Sequence, residues 1–175
     1  SAASVPAING AIYMMNASYC NIRNNTISQS SGKTPIQIVS SSYNNMTDNK
    51  IYSKASNVIF IGMGFNTYSV AGISEFNIFK NNIINGTTGI SSAWCYAIKL
   101  QGNSKQNKLV GQNTFIGNVI SNAFVGVNAV ADVGEVVIIN NTFVNIKTGI
   151  DVSTNVVGGG IVVKGNSINV SNIGI

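Results

Sequence analysis

The chain has 175 residues, 45% of them hydrophobic and only 9% charged, with ten basic residues against five acidic and a net charge of +5. Soluble domains usually hold about a quarter of their residues as charges, so solubility here rests on Asn, Ser, Thr and Gly. The absence of histidine excludes His-based acid–base catalysis, Ser–His and Cys–His nucleophiles and most zinc sites. Lys and Arg form no run, which argues against a nucleic-acid partner.

In chain order, Ser1-Ala2-Ala3-Ser4 reads as a linker, and residues 1–9 as that linker or the start of a first coil. From residue 10 onward two short patterns alternate. The first is apolar, any, apolar: Ile12-Tyr13-Met14, Ile36-Gln37-Ile38, Ile59-Phe60-Ile61, Ile98-Lys99-Leu100, Val125-Gly126-Val127 and Ile150-Asp151-Val152. Ile173-Gly174-Ile175 reads as the start of a seventh, so the chain reads as a fragment that stops inside a strand. Period-2 alternation turns the outer residues of each triplet inward and the middle one outward.

The second pattern places an Asn between two apolar residues. It runs Ile22…Asn25…Ile27, Met46…Asn49…Ile51, Phe79…Asn82…Ile84, Val110…Asn113…Phe115, Ile138…Asn141…Phe143 and Val163…Asn166…Ile168. The asparagines lie 24, 33, 31, 28 and 25 residues apart. Each period holds about three strand segments, and a tight bend between two of them needs a residue that tolerates the left-handed region, as Asn does. Stacked Asn amides can bond one coil to the next. One coil cannot bury its own apolar face, whereas stacked coils can. The prediction is an all-β, right-handed, single-stranded parallel β-helix of about six to seven coils with an asparagine ladder, filling residues 10–175. Leucine is too scarce for a leucine-rich repeat, and a sandwich would lack this period.

Cys20 and Cys95 fall in different coils and read as small core residues without a disulfide. No apolar run reaches the roughly 20 residues of a membrane helix, so no membrane insertion is expected. Outward positions give two stripes. The triplet centres are Tyr13, Gln37, Phe60, Lys99, Gly126 and Asp151; the residues two before each ladder Asn are Arg23, Thr47, Lys80, Gly111, Ile139 and Lys164. The longer periods imply loops, at Gly62–Tyr68 and Gly86–Tyr96, which hold the only tryptophan. Loops on a rigid scaffold commonly bind. Phe65, Tyr68, Trp94, Tyr96 and Lys99 are therefore the candidate sugar contacts.

The acids are Asp48, Glu75, Asp132, Glu135 and Asp151. Glycoside hydrolysis normally uses a pair, and Asp132, Glu135 and Asp151, on adjacent coils, are the candidates for it. Asp48, beside Asn49, reads as a turn residue. No acidic cluster with calcium-ligand spacing is present, so neither metal nor cofactor is expected.

The copies Asn24-Asn25-Thr26-Ile27, Asn81-Asn82-Ile83-Ile84 and Asn140-Asn141-Thr142-Phe143 give the chain a resemblance to the pectin-lyase-like β-helix superfamily, above all to bacteriophage tailspikes and capsule depolymerases. The resemblance covers nearly the whole chain and rests on a structural motif. The acidic calcium site of pectate lyases, the Asp pair with His of polygalacturonases and the Tyr-Gly-x-Asp-Pro-His run of the epimerases are all missing. The resemblance implies a homotrimer in a virion tail that recognises a bacterial capsular or O-antigen polysaccharide. If it is an enzyme, it implies a polysaccharide hydrolase or lyase. The alternative is a non-catalytic structural or adhesin module of a secreted or surface protein.

Overall fold

The computed structural model describes residues 10–29, 34–53, 57–62, 72–86, 95–102, 110–130, 133–153 and 160–173, with backbone alone for 57–62, 153 and 170–173. These residues form strands β1 to β18 and no helix. The strand pairings between them are all parallel and link one rung to the next, so the chain winds as a β-solenoid. Alternating Ile/Val with polar residues suits half-buried strands, and most of the left-handed turn positions between them are Asn, Asp or Gly.

Three walls enclose the core. The first stacks β1 (Ile12–Met15), β4 (Ile36–Val39), β7 (Asn57–Gly62), β11 (Tyr96–Gln101) and the C-terminal halves of β14 (Val119–Val130) and β16 (Thr142–Ser153). The second stacks β2 (Asn21–Arg23), β5 (Asn45–Thr47), β9 (Ile78–Lys80), β13 (Asn113–Ile116), β15 (Val136–Ile139) and β17 (Ile161–Lys164). The third stacks β3 (Thr26–Gln29), β6 (Lys50–Ser53), β10 (Ile83–Gly86), the N-terminal halves of β14 and β16, and β18 (Ser167–Ile173). A short pair, β8 (Ser74–Glu75) with β12 (Val110–Gly111), lies on the approach to the second wall. Each wall thus holds six strands within the described residues, the lower end of the six to seven coils expected. Ile173 pairs with Thr148, so a seventh rung is entered but not completed within the described residues.

The core is built from inward columns. Ile22, Met46, Phe79, Phe115, Ile138 and Val163 stack on the second wall, with the Phe79 and Phe115 rings 4.9 Å apart. Ile27, Ile51, Ile84, Ile120, Phe143 and Ile168 stack on the third. Each fully buried side chain of this size contributes about 1.5–3 kcal/mol.

Two asparagine ladders cross this core edge, where one was expected. In the first, Asn25, Asn49, Asn82, Asn118, Asn141 and Asn166 are joined rung by rung. Each backbone N–H donates to the next Oδ1, as in Asn82 N to Asn118 Oδ1 at 2.9 Å and Asn118 N to Asn141 Oδ1 at 2.9 Å. From Asn49 onward each Nδ2 also donates back to a carbonyl of the preceding rung, as in Asn82 to Met46 at 2.8 Å. Asn113, assigned to this ladder from sequence, belongs to a second one. There Cys20 N donates to Asn44, Asn44 N to Asn77, and Asn77 N to Asn113 at 2.9, 3.1 and 3.0 Å. The correct fourth copy is Phe115…Asn118…Ile120, and the ladder steps are 24, 33, 36, 23 and 25 residues.

The ladder asparagines themselves are not the left-handed residues. That conformation falls on the residue before each one: Asn24, Asp48, Asn81, Gly117, Asn140 and Gly165, with φ between +53° and +66°. Asp48 is therefore a turn residue, as expected. The same rule holds one corner earlier, where Tyr19, Tyr43, Phe76 and Gln112 precede the second-ladder positions with φ from +48° to +61°. Cys20 and Cys95 are free, Cys95 fully buried and Cys20 half-buried.

Candidate functional site

The first wall brings together the outward residues of richest chemistry. Its central outward column runs Tyr13, Gln37, Lys99, Asn128 and Asp151, with the backbone of residue 60 paired between Gln37 and Lys99. The fifth place was assigned from sequence to Gly126. The register is two residues later: Ile98 pairs with Val127 and Lys99 with Asn128, so the triplet is Val127-Asn128-Ala129. Gly126 faces the core instead, where an added Cβ would meet the Phe143 ring at 2.6 Å and Gly149 O at 2.5 Å. On the second wall the same correction replaces Gly111 by Ile116, giving the column Arg23, Thr47, Lys80, Ile116, Ile139 and Lys164.

Three of the expected site residues meet on the first wall. Tyr96 and Lys99 lie on β11, with the Lys99 ammonium 5.3 Å from the Tyr96 ring centroid, within cation–π range. Asp151 lies on β16, two rungs on. Asn128 bridges the gap, its Nδ2 donating to Asp151 Oδ2 at 2.8 Å. Burial lowers the Lys99 pKa, because a desolvated ammonium is disfavoured. Burial also raises the Tyr96 pKa, and the negative charge of Asp151 adds to that rise. A phenol, an ammonium, an amide and a carboxylate thus sit on three successive rungs about 4.8 Å apart. Such a row can donate and accept hydrogen bonds along an extended chain.

Asn128 is the residue that sequence reasoning missed. Although it points outward, it is 3% exposed, and its Oδ1 has no hydrogen-bond partner among the described residues.

The candidate acids separate. Glu135 sits on the corner before β15 and accepts a hydrogen bond from Gln112 Nε2 at 3.4 Å, while Asp151 is held by Asn128 on the first wall. Asp132 lies outside the described residues, as do the candidate contacts Phe65, Tyr68 and Trp94. The described residues hold no cluster of three metal-ligating side chains. The corner that holds Glu135 also presents a surface column of aromatic rings. Tyr19 stacks on Tyr43 at 5.0 Å and Tyr43 on Phe76 at 4.8 Å, all three exposed.

A family model described as the right handed beta helix region matches residues 7–143. No curated protein and no solved structure matches the chain.

Proposed function

Because the chain belongs to the right-handed β-helix family, we propose that its first wall is a binding face for an extended polysaccharide. The observation that supports this most is the row Tyr96, Lys99, Asn128 and Asp151 on three adjoining rungs. A rigid parallel wall repeats every 4.8 Å or so, which suits a polymer better than a compact ligand. Tyr96 offers a ring edge, Lys99 a donor, and Asp151 an acceptor for sugar hydroxyls. In its finer form the reading is that of a phage tailspike: a homotrimer on a virion tail that recognises a bacterial capsular or O-antigen polysaccharide and depolymerises it.

The test is incubation with a panel of such polysaccharides, followed by size-exclusion profile and reducing-end release. One polymer is expected to bind, and Lys99→Ala to weaken it about tenfold, the loss of roughly 1.4 kcal/mol. Shortening of that polymer would make Asp132→Asn, Glu135→Gln and Asp151→Asn the next variants. Light scattering of the same protein reads the trimer.

The second reading is a non-catalytic structural or adhesin module. It is favoured by the placement of Glu135 on the corner before β15 and of Asp151 on the first wall, where Asn128 holds it. Binding without shortening, by an elongated monomer, would select it.

A further inference from the structure

Asn128 occupies a place where an apolar residue would serve the fold better. Its neighbours in the column are partly open, yet it is 3% exposed. One end of its amide is used: Nδ2 donates to Asp151 Oδ2 at 2.8 Å, which fixes which way the amide faces. The other end, Oδ1, is buried with no partner among the described residues. Buried polar atoms without partners are rare and destabilise the fold that holds them. The two ladders show what this chain does with asparagines that serve structure. Asn82, for example, uses its Oδ1, its Nδ2 and its backbone N–H in full. Asn128 breaks that rule at one place, and that place is the site.

We infer that Asn128 Oδ1 is the anchor of a subsite for a single neutral glycosyl unit, accepting a hydrogen bond from one sugar hydroxyl. The adjoining Asp151 carboxylate accepts from a second hydroxyl, so the pair reads two neighbouring hydroxyls together. Lys99, on the rung before, donates to an oxygen of the same unit. The group that completes Asn128 must be a donor, because Oδ1 is an acceptor only. The nearby Lys99 ammonium makes the place poor for a metal ion. The inference rests on the reading of the first wall as a polysaccharide face, and it names the residue that would set its specificity.

The experiment uses Asn128→Val, which puts a strand-favouring β-branched residue in place of the amide and removes the unpartnered oxygen together with the bond to Asp151. Three readouts are taken on wild type and variant: melting temperature, the side-chain amide NMR signal of Asn128 during titration with glucose, galactose and mannose, and binding to the polysaccharide panel. The expected result is a melting temperature that stays level or rises. One monosaccharide shifts the wild-type amide signal, and affinity for the bound polymer falls at least tenfold in the variant. If the variant melts lower and binds the polymer as wild type does, Asn128 is structural and the inference fails while the polysaccharide reading stands. If neither protein binds any polymer and no sugar moves the amide signal, both fail, and the Oδ1 partner is water. Lys99→Met serves as a second variant. Loss of monosaccharide response with an unchanged melting temperature supports the subsite; an unchanged response overturns the role given to Lys99.

Discussion

At the residue scale, the corners of this solenoid rest on left-handed backbone. Most corner residues are Asn, Asp or Gly, but Tyr19, Tyr43 and Phe76 also adopt it, and bulky residues there are outliers. Their stacked rings give part of the compensation, since aromatic pairs contribute about 0.5–1.5 kcal/mol each. Gly117 shows the opposite requirement: at φ +66° an added Cβ would also lie 2.7 Å from Asn81 Oδ1. Gly117→Ala is therefore expected to destabilise by about 1–2 kcal/mol, read by urea denaturation. Asp48→Gly, on the same corner at φ +58° and exposed, is expected to be neutral or slightly stabilising in the same assay. The two ladders were half legible. The Asn spacing announced that coils stack, but the frequency of Asn made Asn113 and Asn118 equivalent by pattern. The five-residue offset shared by Asn44 with Asn49, Asn77 with Asn82 and Asn113 with Asn118 separates them, and it has meaning only once two successive corners are known.

At the element scale, the strands are short and hold by their neighbours. β14 and β16 each run 12 residues and pass from the third wall to the first without losing their pairing. Each bends at an Asn, Asn122 or Asn145, at φ +54° and +53°. Outside the bend these two asparagines form a surface hydrogen bond of 2.6 Å. A ladder Asn inside the stack does more. Asn82→Ala would leave the Asn49 N–H and the Met46 carbonyl without their partners, and is expected to destabilise by roughly 3–5 kcal/mol from several orphaned buried groups. Asn25→Ala, on the first rung, should have a much smaller effect, and thermal melts of the two variants side by side check this. The pH response of β8 has a definite sign. Burial raises the Glu75 pKa above its ordinary 4.5, so the fold binds this proton more tightly than the unfolded chain does. Stability then falls as pH rises from 4.5 through the folded value. Glu75→Gln is expected to melt higher than wild type near pH 7 and to lose that advantage near pH 4, where both side chains are neutral.

At the scale of the whole molecule, stability is a sum of rungs and the interfaces between them. Phe115→Ala, at the middle of the stack beside Phe79, is expected to lose about 3–5 kcal/mol and to uncouple the halves, seen as a broadened denaturant transition. The amino-acid sequence by itself determined the solenoid, its inward columns apart from the fourth ladder copy and the fifth triplet, its rung-by-rung Asn bonding and its free cysteines. All of these follow from period-2 alternation and a corner that recurs at nearly regular spacing, which are local and additive. It also placed Lys99 and Asp151 in one outward column and Tyr96 at the end of a binding loop. Only the tertiary structure decided that Tyr96 and Asn128 share that wall with Lys99 and Asp151 and that Glu135 lies on another corner. Register across a solenoid depends on how much chain each corner consumes. Here the ladder steps vary from 23 to 36 residues, so an outward position in one rung fixes its neighbour in the next only after the strands have paired. Asn128 marks that limit: Val125-Gly126-Val127 and Val127-Asn128-Ala129 satisfy the same alternation, and the choice between them lies in the pairing of Lys99 with Asn128 and in the ring of Phe143 that leaves Gly126 no room for a side chain.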